Sequence, residues 1–154
     1  MRTSINTLAA ALLLGGSAVA MAANDGQSRA NELLSADPQY RQTWQGVVQK
    51  EERLPEWVMN LSGYAEQMNA VTEDGDPYLV GPLCENQQSC LNNRLIVAFS
   101  LDKKNAYAMW VQVPTGLPSD KSPTRHADKR FLGEPDAGMQ ALLNEQLKKD
   151  PNWY

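Results

Sequence analysis

The sequence predicts an α+β domain, an antiparallel β-sheet flanked by helices, on three observations. Apolar residues recur with a helical period towards both ends of the chain and with a period near two between residues 64 and 113. A strong hairpin dipeptide, Asp74-Gly75, falls inside the second region. The order helix, hairpin, hairpin, helix suits strands paired with their sequence neighbours and helices packed on the sheet.

The first 23 residues are compositionally foreign to the rest. Arg2 supplies a positive start, residues 8–14 an uncharged apolar run, and Ala20-Met21-Ala22 a small-x-small cleavage site. This is the pattern of a bacterial secretory signal peptide over residues 1–22, leaving a mature domain over residues 23–154. The apolar run is shorter than the roughly 20 residues that span a bilayer, and no other run is longer, so no membrane span is expected. No cysteine follows the cleavage site to accept a lipid, which points to a soluble periplasmic protein.

After a polar stretch, residues 29–36 suit one or two helical turns. Tyr40, Trp44, Val47 and Val48 then recur at i, i+4, i+7 and i+8, with Asp37 as cap and Pro38 in the first turn, predicting a helix over 38–51. Pro55 ends it, and Leu54-Pro55-Glu56-Trp57-Val58-Met59 reads as a connector whose Trp57 and Met59 pack under the sheet. Residues 64–72 and 77–83 are strand candidates around the turn at Glu73-Asp74-Gly75-Asp76. Residues 94–101 are apolar on both faces and predict a central strand. A turn at 102–105 leads into 106–113, with Tyr107, Met109, Val111 and Val113 on one face and Trp110 on the other. The Pro-rich stretch 114–127 reads as a polar loop, and 129–132 as a short edge strand. A last helix runs from Pro135 or Asp136 to about Lys149, since Met139, Leu142, Leu143 and Leu147 share a face; Pro151 stops it. The terminal Trp153-Tyr154 pair is expected to dock on the sheet, and Trp44, Trp57 and Trp110 to be core.

The 154 residues, with 14 basic and 18 acidic side chains, suit one domain and exclude an ordinary nucleic-acid binder. Removal of the leader leaves 13 basic against 18 acidic side chains, a net charge of −5. His126 stands alone in the sequence, so histidine triads and multi-histidine zinc sites lack their parts. No nucleophile and base pairing is recognisable; the expectation is a protein that is not an enzyme and carries no metal or cofactor. Glu73, Asp74 and Asp76 lack the further ligands of a calcium loop and read as an acidic turn. Asn60-Leu61-Ser62 matches a glycosylation pattern by chance, and Arg125, His126, Lys129 and Arg130 read as a solvated cationic stretch.

The informative constellation is Cys84-Glu85-Asn86-Gln87-Gln88-Ser89-Cys90, between two predicted strands. In an oxidising compartment a disulfide is the default for two cysteines. So small a ring adds only about 2 kcal/mol by chain entropy. Two readings stand: the bridge tidies a strand connection, or it fixes a projecting loop in its bound shape. The second avoids an ordering cost of roughly 0.5–1.5 kcal/mol for each immobilised side chain.

The Leu54-to-Met59 string, the Asp74-Gly75 turn, the two cysteines, the strand Arg94-Leu95-Ile96-Val97-Ala98-Phe99-Ser100 and the terminal Pro151-Asn152-Trp153-Tyr154 together resemble the inhibitor of vertebrate lysozyme (Ivy) family of Gram-negative periplasmic proteins. The resemblance covers most of the mature chain, in order. It implies an α+β fold and inhibition of C-type lysozyme by a disulfide-closed loop that plugs the enzyme's cleft, here Glu85, Asn86, Gln87, Gln88 and Ser89 between Cys84 and Cys90. It also admits a homodimer. The sequence departs from the family pattern Cys-Lys-Pro-His-Asp-Cys, in which the histidine reaches the catalytic carboxylates. Five residues intervene here, none of them His, Lys or Pro, and His126 is too far along the chain to be assigned that role.

Asn86, Gln87 and Gln88 offer neutral N–H donors to an ionised carboxylate, without the charge assistance that makes such contacts about twice as strong. Glu85 would repel it unless turned away or protonated. A weaker or altered inhibitor is therefore expected, steered by its acidic charge towards a basic lysozyme. The changed loop also suits a different target, the cell's own lytic transglycosylases, which cut the same glycan with a single catalytic acid.

Overall fold

The computed structural model describes residues 28–151 and Trp153, so the expected leader over 1–22, its cleavage site and Tyr154 lie outside the described residues. The chain runs α1 (Ala30–Ala36), α2 (Pro38–Val48), α3 (Glu56–Asn60), β1 (Tyr64–Ala65), β2 (Asn69–Glu73), β3 (Asp76–Cys84), β4 (Asn93–Ser100), β5 (Ala106–Gln112), α4 (Pro123–His126), β6 (Asp128–Leu132) and α5 (Ala137–Lys148). The strands form one antiparallel sheet in the order β1-β3-β4-β5-β6, with β2 also paired to β3. This is the expected α+β architecture.

Helices cover both faces of the sheet. On one, α1, α2 and α3 bury Leu33, Tyr40, Trp44, Trp57 and Val58 against Leu83, Leu95, Val97, Phe99 and Trp110. On the other, Met139, Leu142, Leu143 and Leu147 of α5 meet Tyr78, Val80, Ile96, Ala98, Met109 and Val111. β4 is buried from Arg94 to Ser100, which is why its sequence is apolar without alternation. β5 is likewise covered on both faces, Trp110 facing the first cluster and Tyr107, Met109 and Val111 the second.

Local chemistry explains the boundaries. Asp37 caps α2 by accepting the Gln39 N–H at 2.8 Å, and Asp136 caps α5 by accepting that of Met139 at 2.8 Å. Asp74 and Gly75 both take positive φ, 51° and 82°, as a type I′ hairpin between β2 and β3 requires.

Three expectations need correction. The 54–59 connector contains the short helix α3, with Pro55 as its N-cap. Trp57 is buried as expected, but Met59 is 43% exposed, because two helical steps carry it about 200° around the axis from Trp57. The strand expected over 64–72 is broken into β1 and β2. Met68 turns fully inward at the break, packing on Gly81, where a Cβ would lie 2.8 Å from Met68 Cγ. Its backbone N–H donates to the Ser28 carbonyl at 2.8 Å, and Arg29 bridges to Gln67, so the N-terminal segment occupies the gap. The Pro-rich stretch is interrupted by α4, which delivers the chain into β6.

Candidate functional site

The loop begins where β3 ends. Cys84 stands opposite Arg94 on one side and Tyr64 on the other, and it is bridged to Cys90 across a Cα separation of 5.1 Å. Between them Gln87–Ser89 form a single 3-10 turn that Asn86 caps. Asn86 Oδ1 accepts the Ser89 N–H at 3.0 Å, and Ser89 Oγ accepts the Asn86 N–H at 3.2 Å. Ser89 Oγ also donates to the Asn86 carbonyl at 3.0 Å. A covalent bridge and a reciprocal pair of side-chain hydrogen bonds thus fix the same seven residues.

Of the five residues singled out from sequence, Glu85, Asn86, Gln87 and Gln88 are exposed and Ser89 is half-buried. They divide by role. Ser89 and the Oδ1 of Asn86 are committed to holding the turn, so the Nδ2 of Asn86 and the amide groups of Gln87 and Gln88 are the outward donors. The Asn-x-x-Ser spacing of the capping box was the signal available in sequence for this division.

The loop's base is fastened to three segments. Asn92 Nδ2 donates to the Val113 carbonyl at 3.3 Å while the Val113 N–H donates to the Asn92 carbonyl at 2.8 Å. Trp110 Nε1 donates to Asn93 Oδ1 at 2.6 Å. Arg94, 3% exposed, is paired with Asp150 after the end of α5, and its guanidinium lies 5.5 Å from the ring centroid of half-buried Trp153. Trp153 docks as expected, and it also lies under Lys129. Burial pushes the Lys129 ammonium below the ordinary lysine range, with repulsion from Lys148 adding to it. Gly63, just before β1, backs onto the start of the loop: a Cβ there would lie 1.8 Å from the Cys84 carbonyl oxygen.

A hollow lies on either side of the loop. Glu85 and Ser89 line one of about 480 Å³ with Asn92, Val113, His126 and Asp128. Gln87 and Cys90 line another of about 380 Å³ with Tyr64, Glu66, Arg94 and Asp150. Tyr64 and Leu91 are large hydrophobics left 37% and 36% exposed beside the bridge. Sequence reasoning set His126 apart from the loop; the fold brings it to the same concavity as Glu85, because β6 pairs with β5 beside the base of β4. The cationic stretch is dispersed: Arg130 pairs with Glu51 at 2.7 Å and Lys129 donates to Asn144 at 2.7 Å. Among the described residues no three His, Cys, Asp or Glu side chains are grouped to hold a metal ion.

The chain resembles known proteins along the greater part of its length. An uncharacterized protein of Pseudomonas aeruginosa is 56% identical over 147 residues, 94% of each chain. A second protein of Pseudomonas aeruginosa, named inhibitor of vertebrate lysozyme, is 37% identical over 129 residues, 82% of each chain. An uncharacterized protein of Yersinia pestis is 37% identical over 122 residues, 79% of this chain and 78% of its own. The family profile described as inhibitor of vertebrate lysozyme (Ivy) matches residues 39–149, from the first turn of α2 to the end of α5 and so across the whole sheet and the bridged loop. The chain belongs to the inhibitor of vertebrate lysozyme (Ivy) family.

Proposed function

We propose that this protein inhibits a C-type lysozyme by inserting the Cys84–Cys90 loop into the enzyme's active-site cleft, and that it has no catalytic activity of its own. The observation that carries the reading is an exposed five-residue tip closed by a disulfide and by its own capping box, in a chain of a lysozyme-inhibitor family. Such a tip pays little ordering entropy on binding, which favours a plug over a flexible loop. Gln87 and Gln88 present neutral amide donors to the ionised catalytic carboxylate of the cleft. The mature protein, residues 23–154, works in the periplasm after loss of residues 1–22, where the oxidising environment keeps the bridge closed.

The test titrates purified mature protein against hen-type lysozyme and against a lytic transglycosylase, reading cell-wall turbidity. Inhibition of lysozyme at near-stoichiometric ratio is the expected result. Inhibition of the transglycosylase alone would replace the target, and turbidity loss caused by the protein alone would reveal an enzyme. Mass spectrometry of the periplasmic fraction checks that the mature chain starts at residue 23.

A further inference from the structure

Glu85 is the loop residue hardest to reconcile with an acidic cleft, and the structure gives it a separate neighbourhood. It lines the 480 Å³ hollow with Asp128, at the start of β6, across from Asn92, Val113 and His126. The ion pairs among the described residues are Arg94 with Asp150, Lys103 with Asp37, Arg130 with Glu51 and Lys148 with Glu145, so neither Glu85 nor Asp128 is neutralised by one. The cations nearest in sequence to Asp128 are turned elsewhere, Lys129 onto Asn144 and Trp153 and Arg130 onto Glu51. The hollow therefore joins two unpaired carboxylates to an apolar wall at Val113 and Pro114.

We infer that this hollow is a second contact with the target and receives a cationic side chain, Arg or Lys, from the lip of the cleft that the loop enters. The inference rests on the proposed loop insertion. A guanidinium or ammonium seated in the hollow gives these carboxylates the charge-assisted hydrogen bonds that no ion pair among the described residues supplies. A concave site lined by one sign of charge also focuses the field that draws in a basic partner. Continuity fixes the geometry: Glu85 belongs to both loop and hollow, so a partner seated on the tip has its cleft wall beside Asp128. The hollow on the loop's other side lacks this preference, since Arg94 and Asp150 neutralise each other there and Lys149 accompanies Glu66.

The experiment measures the Kd of the mature protein for hen-type lysozyme at low and moderate salt, with circular dichroism verifying each fold. Asp128→Lys reverses a charge in the hollow away from the loop. Asp76→Lys makes the same change in net charge at the opposite end of β3, eight residues from Cys84 and so about 26 Å away. The expected result is a rise in Kd of about tenfold or more for Asp128→Lys and of less than about threefold for Asp76→Lys, with a flatter salt dependence for the former. Asp128→Asn, which only removes charge, should show a smaller rise and decides the matter if the lysine variant does not fold. Equal losses at positions 128 and 76 would reduce the effect to net charge and overturn the inference. Unchanged affinity in the position 128 variants, with loss in Gln87→Ala/Gln88→Ala, would overturn the hollow and leave the loop reading standing. Unchanged affinity in the double alanine variant would remove the loop reading itself, and the inference with it.

Discussion

Asn86 and Ser89 decide the shape of the tip through their own side chains. Each side chain satisfies the other's backbone N–H, so removal of either frees a donor and loosens the turn inside an intact disulfide. Ser89→Ala should leave the thermal midpoint nearly unchanged, yet weaken lysozyme inhibition about fivefold if a capping loss of about 1 kcal/mol falls on binding. A titration of cell-wall turbidity measures it; full inhibition by the variant would make the disulfide alone sufficient. Gly63 acts from behind the loop. With the Cys84 carbonyl 1.8 Å from where its Cβ would lie, Gly63→Ala must push β1 away from the end of β3. The expected outcome is weaker inhibition and a lower thermal midpoint together, seen by calorimetry beside the turbidity assay.

At the scale of elements, β4 ties the two helical layers together. Phe99 is fully buried and meets Tyr40 edge-on at 5.2 Å and Trp44 at 6.0 Å. Phe99→Ala is expected to destabilise the domain by about 3–5 kcal/mol in urea denaturation, the usual range for a large aromatic in a packed core. The start of α2 is expected to respond to pH. A hydrogen bond from Lys103, and then the Gln39 N–H, holds the Asp37 carboxyl below the usual carboxylate range, and the same contact raises Lys103. A depressed carboxylate contributes stability above its unfolded pKa of about 3.9 and loses it as pH falls through the lower folded value. The raised Lys103 contributes below its unfolded pKa of about 10.4 and loses that as pH rises through the folded value. Asp37→Asn should therefore narrow the stability difference from the parent protein as pH drops from 5 to 2, in urea midpoints taken across that range. Both groups are only partly buried, so the effect is small and fades with salt.

For the whole molecule, the bridge closes a ring of so few residues that it serves shape more than stability. Cys84→Ser should cost about 2 kcal/mol or less while inhibition falls substantially, with circular dichroism retaining the native spectrum. Unfolding of that variant would assign the bridge to the core instead. The acidic balance, 13 basic against 18 acidic side chains after loss of the leader, should speed encounter with a basic enzyme, and association should slow as salt rises from about 50 to 200 mM. Stopped-flow association rates at the two salt levels measure this.

Periodicity and turn chemistry were enough to set the fold class: the two-sided apolar runs of β4 and β5, the Asp74-Gly75 turn and the apolar face of α5 are properties of local sequence that the sheet then uses directly. The bridged loop was legible too, because its two cysteines and polar interior lie within seven residues. Contacts between distant parts of the chain were not. Met68 breaks the edge strand because residues 28 and 29 fill the gap, and Met59 faces solvent because a helical turn replaces an extended connector. His126 and Asp128 reach Glu85 only through the pairing of β5 with β6, some forty residues along the chain. Local sequence carries the period of an element and the conformation of a turn; which side chains share a concavity depends on strand order and register, and those are decided by burying both faces of the sheet at once.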